Sequence, residues 1–503
     1  MNLWQRLTGR GTVPDTRAQA FEATISPGFN AASVVKRFAR WITTPADLNT
    51  ILSSEGEELR RRSRNLCRNN PHAANAIDSF VGNCVGTGIK PQSLHPDPAM
   101  RQNLQEWWLR WTDEADSAGL TDYYGLQSLA CRGVMEAGEV LLRIRPRRLE
   151  DGLTAPLQLQ ILEAEHLPLS ETKSLPNGFY VRNGIEFDGI GRRTAYYLYR
   201  QHPGSAQVEK NDGNELVRVP ASSVLHVYKP LRPGQIRGYA WLATVIAKLY
   251  ELEQYADAEL VRKKTAAMIT HFITELSPEN PLILGTPDQP DADSTPVAVI
   301  EAGSTVKLLP GEDVRVSQAP DISGIEFIRS ELRSVAAGIG LADFQLSGDM
   351  TQVNYSSARI ALLEFRRRCE QFQHQVMSYQ MNRPVWRAFI EACVMAGLIP
   401  AGEYQRNKAR YLAVLWRPPK WDWVDPLKDI NAEIAAINAR LKSRSQTIHD
   451  LGEDPETVDR MIAEDQERLE ELGVAPPVTG SAAQAGKPPV MPEEPQPQTE
   501  RIQ

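Results

Sequence analysis

The sequence predicts an α+β fold. Two observations carry this: β-rich runs gather between residues 140 and 228, separated by Pro, Gly, Asn and Asp, and helical periodicity dominates on both sides of that block. Strands clustered in this way, rather than alternating with helices, point to a mainly antiparallel sheet with helices packed around it.

The elements follow in order. Residues 1–50 mix Gly, Pro, Thr and Ala and read as an N-terminal arm, poorly tethered, with one amphipathic stretch at 31–41. A helix is predicted over 55–69, carrying Arg60, Arg64 and Arg68 at spacing four; Pro71 opens a second helix over 72–81, ended by Gly82, Gly86 and Gly88. Residues 100–112 hold Trp107, Trp108 and Trp111, a core-facing aromatic helix, and 125–137 is a further helix. Strands are predicted over 140–145, 157–162, 179–187, 195–200 and 225–228. From Tyr239 the pattern is helical for about thirty residues, with Leu242, Val245, Leu249, Leu252 and Ala256 on one face and Pro278 at its end.

Residues 279–320 contain short runs of β-formers among prolines and glycines, a small β-rich insertion. Helix returns over 322–336. Next comes a polar loop of Leu346, Ser347, Gly348, Asp349, Met350, Thr351, Gln352, Val353 and Asn354, directly ahead of a long amphipathic pattern over 356–381. In that pattern Ala358, Leu362, Phe365, Cys369, Phe372, Val376 and Tyr379 recur at alternating spacings of four and three, one apolar stripe on a helix that Ser356 or Ser357 can cap. Such a helix is about 39 Å long. Pro384 is expected to kink it before the pattern resumes through Val394. Two short helices are predicted over 427–441 and 455–472, and the Pro-, Gln- and Glu-rich segment 475–503 has almost nothing to bury, so it reads as a disordered tail. From the residues alone the loop has two readings: a plain surface loop ahead of a core helix, or a flexible tip on a stiff arm that touches something large.

With 503 residues the chain is long enough for two to four domains. No run approaches the ~18 apolar residues of a membrane span, and no apolar segment near the N-terminus marks the chain for secretion. Cys67, Cys84, Cys131, Cys369 and Cys393 are scattered without a CxxC pair, which argues for reduced thiols and against a zinc site or a disulfide framework. The net charge of −7 speaks against a protein that grips nucleic acid along a broad basic face. It is compatible with a wall past which a polyanion slides, because a mildly acidic surface does not trap phosphates in one register.

Catalytic patterns are incomplete wherever they begin. Gly82, Gly86 and Gly88 precede Lys90, but Pro91 stands where a phosphate loop needs Ser or Thr. Ser170 and Lys173 match SxxK with none of its partner motifs. The histidines form no HExxH, no cofactor is indicated, and Asp288, Asp291 and Asp293 read more simply as an acidic surface loop than as a cation site. The arginines Arg60, Arg61, Arg62, Arg64 and Arg68 admit either DNA contact or pairing with Glu55, Glu57 and Glu58 together with subunit contacts. Arg366, Arg367 and Arg368 face away from the apolar stripe, on a solvated or interface face.

Four segments carry a resemblance. VRVPASSVLHVYKPLRPGQIRGYAWLATVIAKLYELEQYADAELVRKKTAAMITHFIT (217–274), LRRRSRNLCRNNPHAANAIDSFVGNCVGTGIKPQ, GVMEAGEVLLRIRPRR and FQLSGDMTQVNYSSARIALLEFRR together resemble the portal proteins of lambda-like tailed phages and prophages, and with DPLKDINAEIAAINARLKSRS the similarity spans about 30–470. No one motif is diagnostic; several in the right order are. The resemblance implies a head-tail connector: a homo-oligomeric ring, commonly a dodecamer, at one capsid vertex, through which double-stranded DNA passes. It implies a wing beginning at 51–235, a stem helix at 236–278, a clip at 279–320, a second stem helix at 321–342, a tunnel loop and long wing helix at 343–424, and a crown at 425–474. Implied partners are the terminase large subunit, head-completion proteins and the major capsid or scaffold protein, with assembly in the bacterial cytoplasm and no membrane. The loop from Leu346 to Asn354 would line the DNA channel, and the role is not enzymatic. A capsid-associated nuclease is the alternative, and it would need converging carboxylates or histidines that the sequence does not offer. A non-viral adaptor that binds protein partners is a third reading.

Overall fold

The computed structural model describes residues 43–206, 215–268, 271–274, 305–308, 324–351, 353–421 and 426–474. Four helices come first: α1 (Leu48–Asn69), α2 (Pro71–Cys84), α3 (Pro98–Glu114) and α4 (Tyr123–Ala137), with the short strand β1 (Lys90–Ser93) between α2 and α3. The strands β2 (Glu139–Pro146), β3 (Leu157–Glu163), β4 (Lys173–Ser174), β5 (Tyr180–Arg182), β6 (Ile185–Phe187), β7 (Arg193–Tyr199), β8 (Leu216–Pro220) and β9 (Val224–Tyr228) follow without an intervening α-helix. Next are α5 (Ile246–Met268), β10 (His271–Thr274), β11 (Thr305–Leu308), α6 (Gly324–Ile339), α7 (Asp343–Ser347), α8 (Tyr355–Phe372), a π-helical stretch Gln373–Asn382, α9 (Arg383–Met395), α10 (Ala401–Leu412), β12 (Val414–Arg417), α11 (Pro426–Asn438), α12 (Arg444–Asp450) and α13 (Pro455–Glu471).

The sheets are antiparallel where the sequence predicts it. One orders β3-β2-β9 and another β4-β5-β6-β7-β8. β1 pairs with the distant β12, whereas β10 and β11 run parallel, with His271 opposite Thr305. Local chemistry sets the helix starts. Asp47, Asn70, Asp97 and Asp122 each accept a backbone N–H of the first turn, and Pro71 and Pro98 occupy the positions where a missing N–H costs nothing.

The main core joins α2, α3, α4, the long helix and α9. Trp108 and Trp111 are buried there against Tyr123, Trp386 and Phe389, with ring centroids 5.0–5.7 Å apart, as the aromatic helix predicts. A smaller cluster of Leu141, Leu167, Ile185, Phe187, Tyr196, Leu198, Val219 and Val224 fills the space between the two antiparallel sheets.

Several expectations are corrected. The run 179–187 is a hairpin rather than one strand, because Asn183 and Gly184, with φ of 52° and 81°, form a two-residue turn between β5 and β6. The helical run expected from Tyr239 to Pro278 ends at Met268, and the chain is already strand at His271. A third short helix, α12, stands between the two predicted near the C-terminus, and its Ser443 cap accepts the Gln446 N–H. The long helix is irregular ahead of Pro384 rather than at it. A proline ring collides with the carbonyl four residues back, here that of Gln380, and the wider π turn accommodates it: Arg383 N–H reaches back five residues to Ser378 O. This stretch also shifts the phase of the apolar stripe. Phe365, Cys369, Phe372 and Val376 are buried as predicted, but Met377 and Met381 take over and Tyr379 turns out to solvent, 65% exposed. On α5 the stripe is buried through Leu252, and Ala256 is exposed. The arm 1–42, most of the segment 279–320 expected to be a β-rich insertion apart from Thr305–Leu308, and the tail 475–503 lie outside the described residues.

A buried polar hub ties the helices to the sheet. The Glu139 carboxylate, at the start of β2, accepts from Arg60 Nη2 (3.0 Å), Arg237 Nε (2.9 Å), His226 Nε2 (3.0 Å) and the Gly238 N–H (2.8 Å). Arg237 is fully buried and donates further to the carbonyls of Leu167 and Asn183, both 2.7 Å. Burial alone would raise the Glu139 pKa; the charge of Arg237 and the His226 hydrogen bond outweigh it and hold the carboxyl well below the ordinary range. Two glycines let the backbones meet here: a Cβ on Gly138 would stand 2.2 Å from the Tyr239 carbonyl carbon, and one on Gly238 would stand 2.0 Å from the Gly138 oxygen.

Candidate functional site

The loop between α7 and α8 is built by the two helices that precede it and the one that follows. Its first residue, Leu346, is buried and belongs to the core. Asn75 on α2 donates to the carbonyls of Gln345 (2.6 Å) and Leu346 (3.1 Å), so α7 is fastened to α2 from the side. Ser347 Oγ donates to Asp343 O at 2.8 Å, and the Gly348 N–H to Phe344 O at 2.9 Å, closing α7. At the far end Asn354, not Ser356 or Ser357, is the cap of α8: its Oδ1 accepts the Ser357 N–H at 2.8 Å. Both ends of the predicted loop therefore have structural duties, which leaves 348–353 as the tip, where Gly348, Met350 and Thr351 are exposed.

The tip is itself organised. Asp349 Oδ1 accepts from the Thr351 hydroxyl (2.6 Å) and backbone N–H (2.9 Å), while Oδ2 pairs with Arg329 on α6 at 2.9 Å. The hydrogen bonds from Thr351 first, and the charge of Arg329 after them, hold the Asp349 carboxyl below its usual range. The Val353 N–H closes a turn onto Met350 O at 3.2 Å. One helical turn along α6, Arg333 pairs with Asp343 at 3.1 Å. A cavity of about 120 Å³ lies between these groups, lined by Leu332 and Val353 as well. The loop base thus matches two acids with two arginines, and Met350 in the tip is uncharged and 60% exposed. Such a surface offers phosphate oxygens no strong foothold. Gln352 lies outside the described residues.

The sequence carries no sign of Asn75 as a partner. Arg329 and Arg333 do carry a signal, four residues apart and so on one face of the helix ahead of the loop.

The N-terminal arginines are dispersed by the fold rather than gathered into a patch. Arg60 is 4% exposed and committed to Glu139, so it is not available to DNA. Arg64 bridges Glu163 (2.9 Å) and Glu165 (3.0 Å). Arg61 and Arg62 pair with Glu58, as the intrahelical reading has it, and Arg68 is exposed in the last turn of α1. On α8, Arg366 lies over the Trp421 ring at 5.2 Å and Arg367 meets Glu364 at 3.6 Å. Lys173 pairs with Glu171 at 2.7 Å, which raises its pKa and keeps it charged, the wrong state for a base acting on Ser170. Among the described residues, Glu163, Glu165 and His202 bring atoms of metal-binding type together. Arg64 already supplies the positive charge to both carboxylates. Asp288, Asp291 and Asp293 lie outside the described residues, and no described helix is long and apolar enough to cross a membrane.

Known proteins share this sequence pattern. The family described as "Phage portal protein, lambda family" matches residues 35–373. The chain is 28% identical over 498 residues to the "Probable portal protein" of Halomonas phage phiHAP-1, covering 95% of this chain and 94% of that protein. It is 23% identical over 479 residues to the "Portal protein" of Escherichia phage N15, covering 84% and 86%. It is also 23% identical over 329 residues to "Portal protein B" of Escherichia phage lambda, covering 60% and 61%. Among solved structures, a chain of the "Neck of empty GTA particle computed with C6 symmetry" is similar at a TM-score of 0.41 and 16% identity, with 80% of this chain and 94% of that one covered. A chain of the "Neck of native GTA particle computed with C12 symmetry" gives 0.41 and 15%, with the same coverage.

Proposed function

Because the chain belongs to the lambda family of phage portal proteins, we propose that it assembles as a ring, a dodecamer, at one capsid vertex and serves as the conduit for double-stranded DNA during packaging and ejection. The observation that carries the assignment is the family match over 35–373, which includes the whole loop from Leu346 to Asn354. In this reading 51–235 begins the wing, 236–278 and 321–342 are the stem, 279–320 is the clip and 425–474 the crown. The terminase large subunit and then head-completion proteins dock on the clip, and the major capsid or scaffold protein surrounds the wing. The protein acts in the virion after assembly in the bacterial cytoplasm, and its role is structural, so a separate ATPase drives translocation. The relatives lend no support to the alternative of a capsid-associated nuclease.

The loop supports the conduit role by its chemistry. Twelve copies around an axis would present a ring of Met350 and Thr351 whose neighbouring charges are already matched, as in the Arg329–Asp349 and Arg333–Asp343 pairs. DNA passing such a ring is contacted without being held in register. Negative-stain imaging and native mass spectrometry of the purified protein test the reading: rings with a central channel are expected. A protein that remains monomeric under all assembly conditions overturns it, and metal-dependent DNA cleavage favours the enzyme instead.

A further inference from the structure

A cavity of about 260 Å³ opens where the α4 C-terminus, the end of α6 and the last turn of α8 converge; Phe80, Trp241 and Phe372 form its apolar wall, and Lys229 and Arg368 its charged edge. No acidic side chain among the described residues lines it. Among the described residues neither cation has an ion pair. Arg368 is held in place from beneath. Gly340, which ends α6 with φ of 78°, has no side chain, and a Cβ there would collide with Arg368 Nη1, so the guanidinium lies directly over that glycine. Lys229 is exposed, and partial desolvation first and the charge of Arg368 after it hold it below the usual lysine range. Two like charges facing one half-apolar hollow repel each other, and a carboxylate between them would relieve the cost.

The complementary surface is on α5. At 100° per residue Tyr250, Glu253, Asp257, Leu260 and Val261 share one face, with Lys264 at its far end beyond the two acids. The opposite side is occupied by Leu252 in the core and by Tyr255 against Phe327 of α6, at 4.9 Å, while Leu249, beside the free face, is also buried in the core. On the free face Tyr250, Leu260 and Val261 are 55%, 50% and 61% exposed, and Glu253 and Asp257 have no ion pair among the described residues. An apolar face carrying unpaired acids matches an apolar hollow rimmed by unpaired cations. The two surfaces lie on different parts of the chain, which is what a heterologous contact in a closed ring requires.

We propose that the Tyr250, Glu253 and Asp257 face of α5 in one copy seats on the Lys229–Arg368 pocket of the next copy around the ring. This rests on the ring reading above. The test is charge reversal in the full-length protein, with ring content measured by native mass spectrometry and folding checked by circular dichroism. K229E/R368E and E253K/D257K are each expected to lower ring content on the order of tenfold at fixed concentration, and the four substitutions combined to restore it. Should the reversed pocket fail to fold, K229Q/R368Q is expected to weaken the ring by a smaller factor that added salt does not increase further. Folded reversal variants that assemble normally, or a combined variant that does not recover, remove the interface. So does a K229E/R368E ring that forms normally but retains less DNA, since the pocket would then serve phosphate. A wild-type chain that forms no ring removes the ring reading first and the interface with it.

Discussion

Gln380 meets Tyr228 as a neighbouring strand would. Its Oε1 accepts the Tyr228 N–H at 3.0 Å, and its Nε2 donates to the Tyr228 carbonyl at 2.9 Å. Tyr228 ends β9, the edge strand of the β3-β2-β9 sheet, so a side chain from the π stretch of the long helix satisfies a sheet edge. The same stretch sends Gln373 Nε2 to Cys84 O at 2.7 Å and receives Tyr123 Oη on Asn382 Oδ1 at 2.9 Å. The wider turn therefore orients three amide side chains that lock the arm behind the loop to α2, α4 and the sheet.

Replacing Gln380 with Leu leaves both Tyr228 backbone groups without their partner in a buried setting, at a cost of about 2 kcal/mol. The expected result is a lower midpoint in urea with an unchanged slope. Gln380→Glu keeps the acceptor and loses the donor, and should fall between the two. An unchanged midpoint for Gln380→Leu would show that water satisfies the edge equally well.

Glu139 is the counter-charge for two buried guanidiniums, those of Arg60 and Arg237. Glu139→Gln preserves shape but strands both, and a stability loss of roughly 3–5 kcal/mol is expected. Adding Arg60→Met to that variant removes one stranded charge and should recover part of the loss. Thermal melts of the three proteins decide it, and no recovery in the double variant would show that Arg60 packs rather than pairs.

His226 sets a pH window. Arg193 points a guanidinium N–H at Nδ1 (3.4 Å), so Nδ1 accepts, Nε2 carries the proton given to Glu139, and the ring is neutral. Burial lowers its pKa from 6.5 to about 4, against the pull of Glu139. Between those values the unfolded chain holds a proton that the folded chain does not, so stability falls as pH drops from 6.5 to about 4, by roughly 3 kcal/mol, and the residue adds no slope above 6.5. The Glu139 contribution, present above the ordinary carboxylate pKa, is lost only lower down, as pH falls through its depressed folded value. His226→Gln, which can keep both hydrogen bonds, should flatten the upper window in denaturation curves taken from pH 4 to 7. An identical slope in the variant would assign it to another group.

Local chemistry made the α+β class, the antiparallel block and the aromatic core around Trp108 and Trp111 legible, since turn residues and periodicity act over a few positions. The π stretch is not legible, because Pro384 signals an irregularity but not which side of it yields, and so the exposure of Tyr379 does not follow from the periodicity. The pairing of β1 with β12 joins residues more than 300 apart, and no local pattern announces it. At the candidate site the polar tip was readable, whereas the roles of Leu346 and Asn354 depend on α2 and on the cap of α8. The Arg60, Arg64 and Arg68 spacing suggested one basic face, and the fold put the first in the core, the second on two glutamates and only the third in the open.

The loop assignment is tested by deletion. Removing Gly348 to Val353 spares the core residue Leu346 and the cap Asn354, so α7 and α8 keep their ends. Beyond the tip itself the deletion breaks the exposed ion pair of Asp349 with Arg329, and such pairs contribute little to stability. A variant with a short Gly-Ser bridge in place of these residues should therefore melt close to wild type and assemble normally. If the loops contact DNA in the channel, packaging or retention of DNA in filled particles should fall sharply, and substituting Met350→Ser alone should reproduce part of the loss. Normal packaging by a deletion variant that assembles would take the channel role away from the loop while leaving the family assignment standing, because that rests on the match over 35–373 and not on the tip.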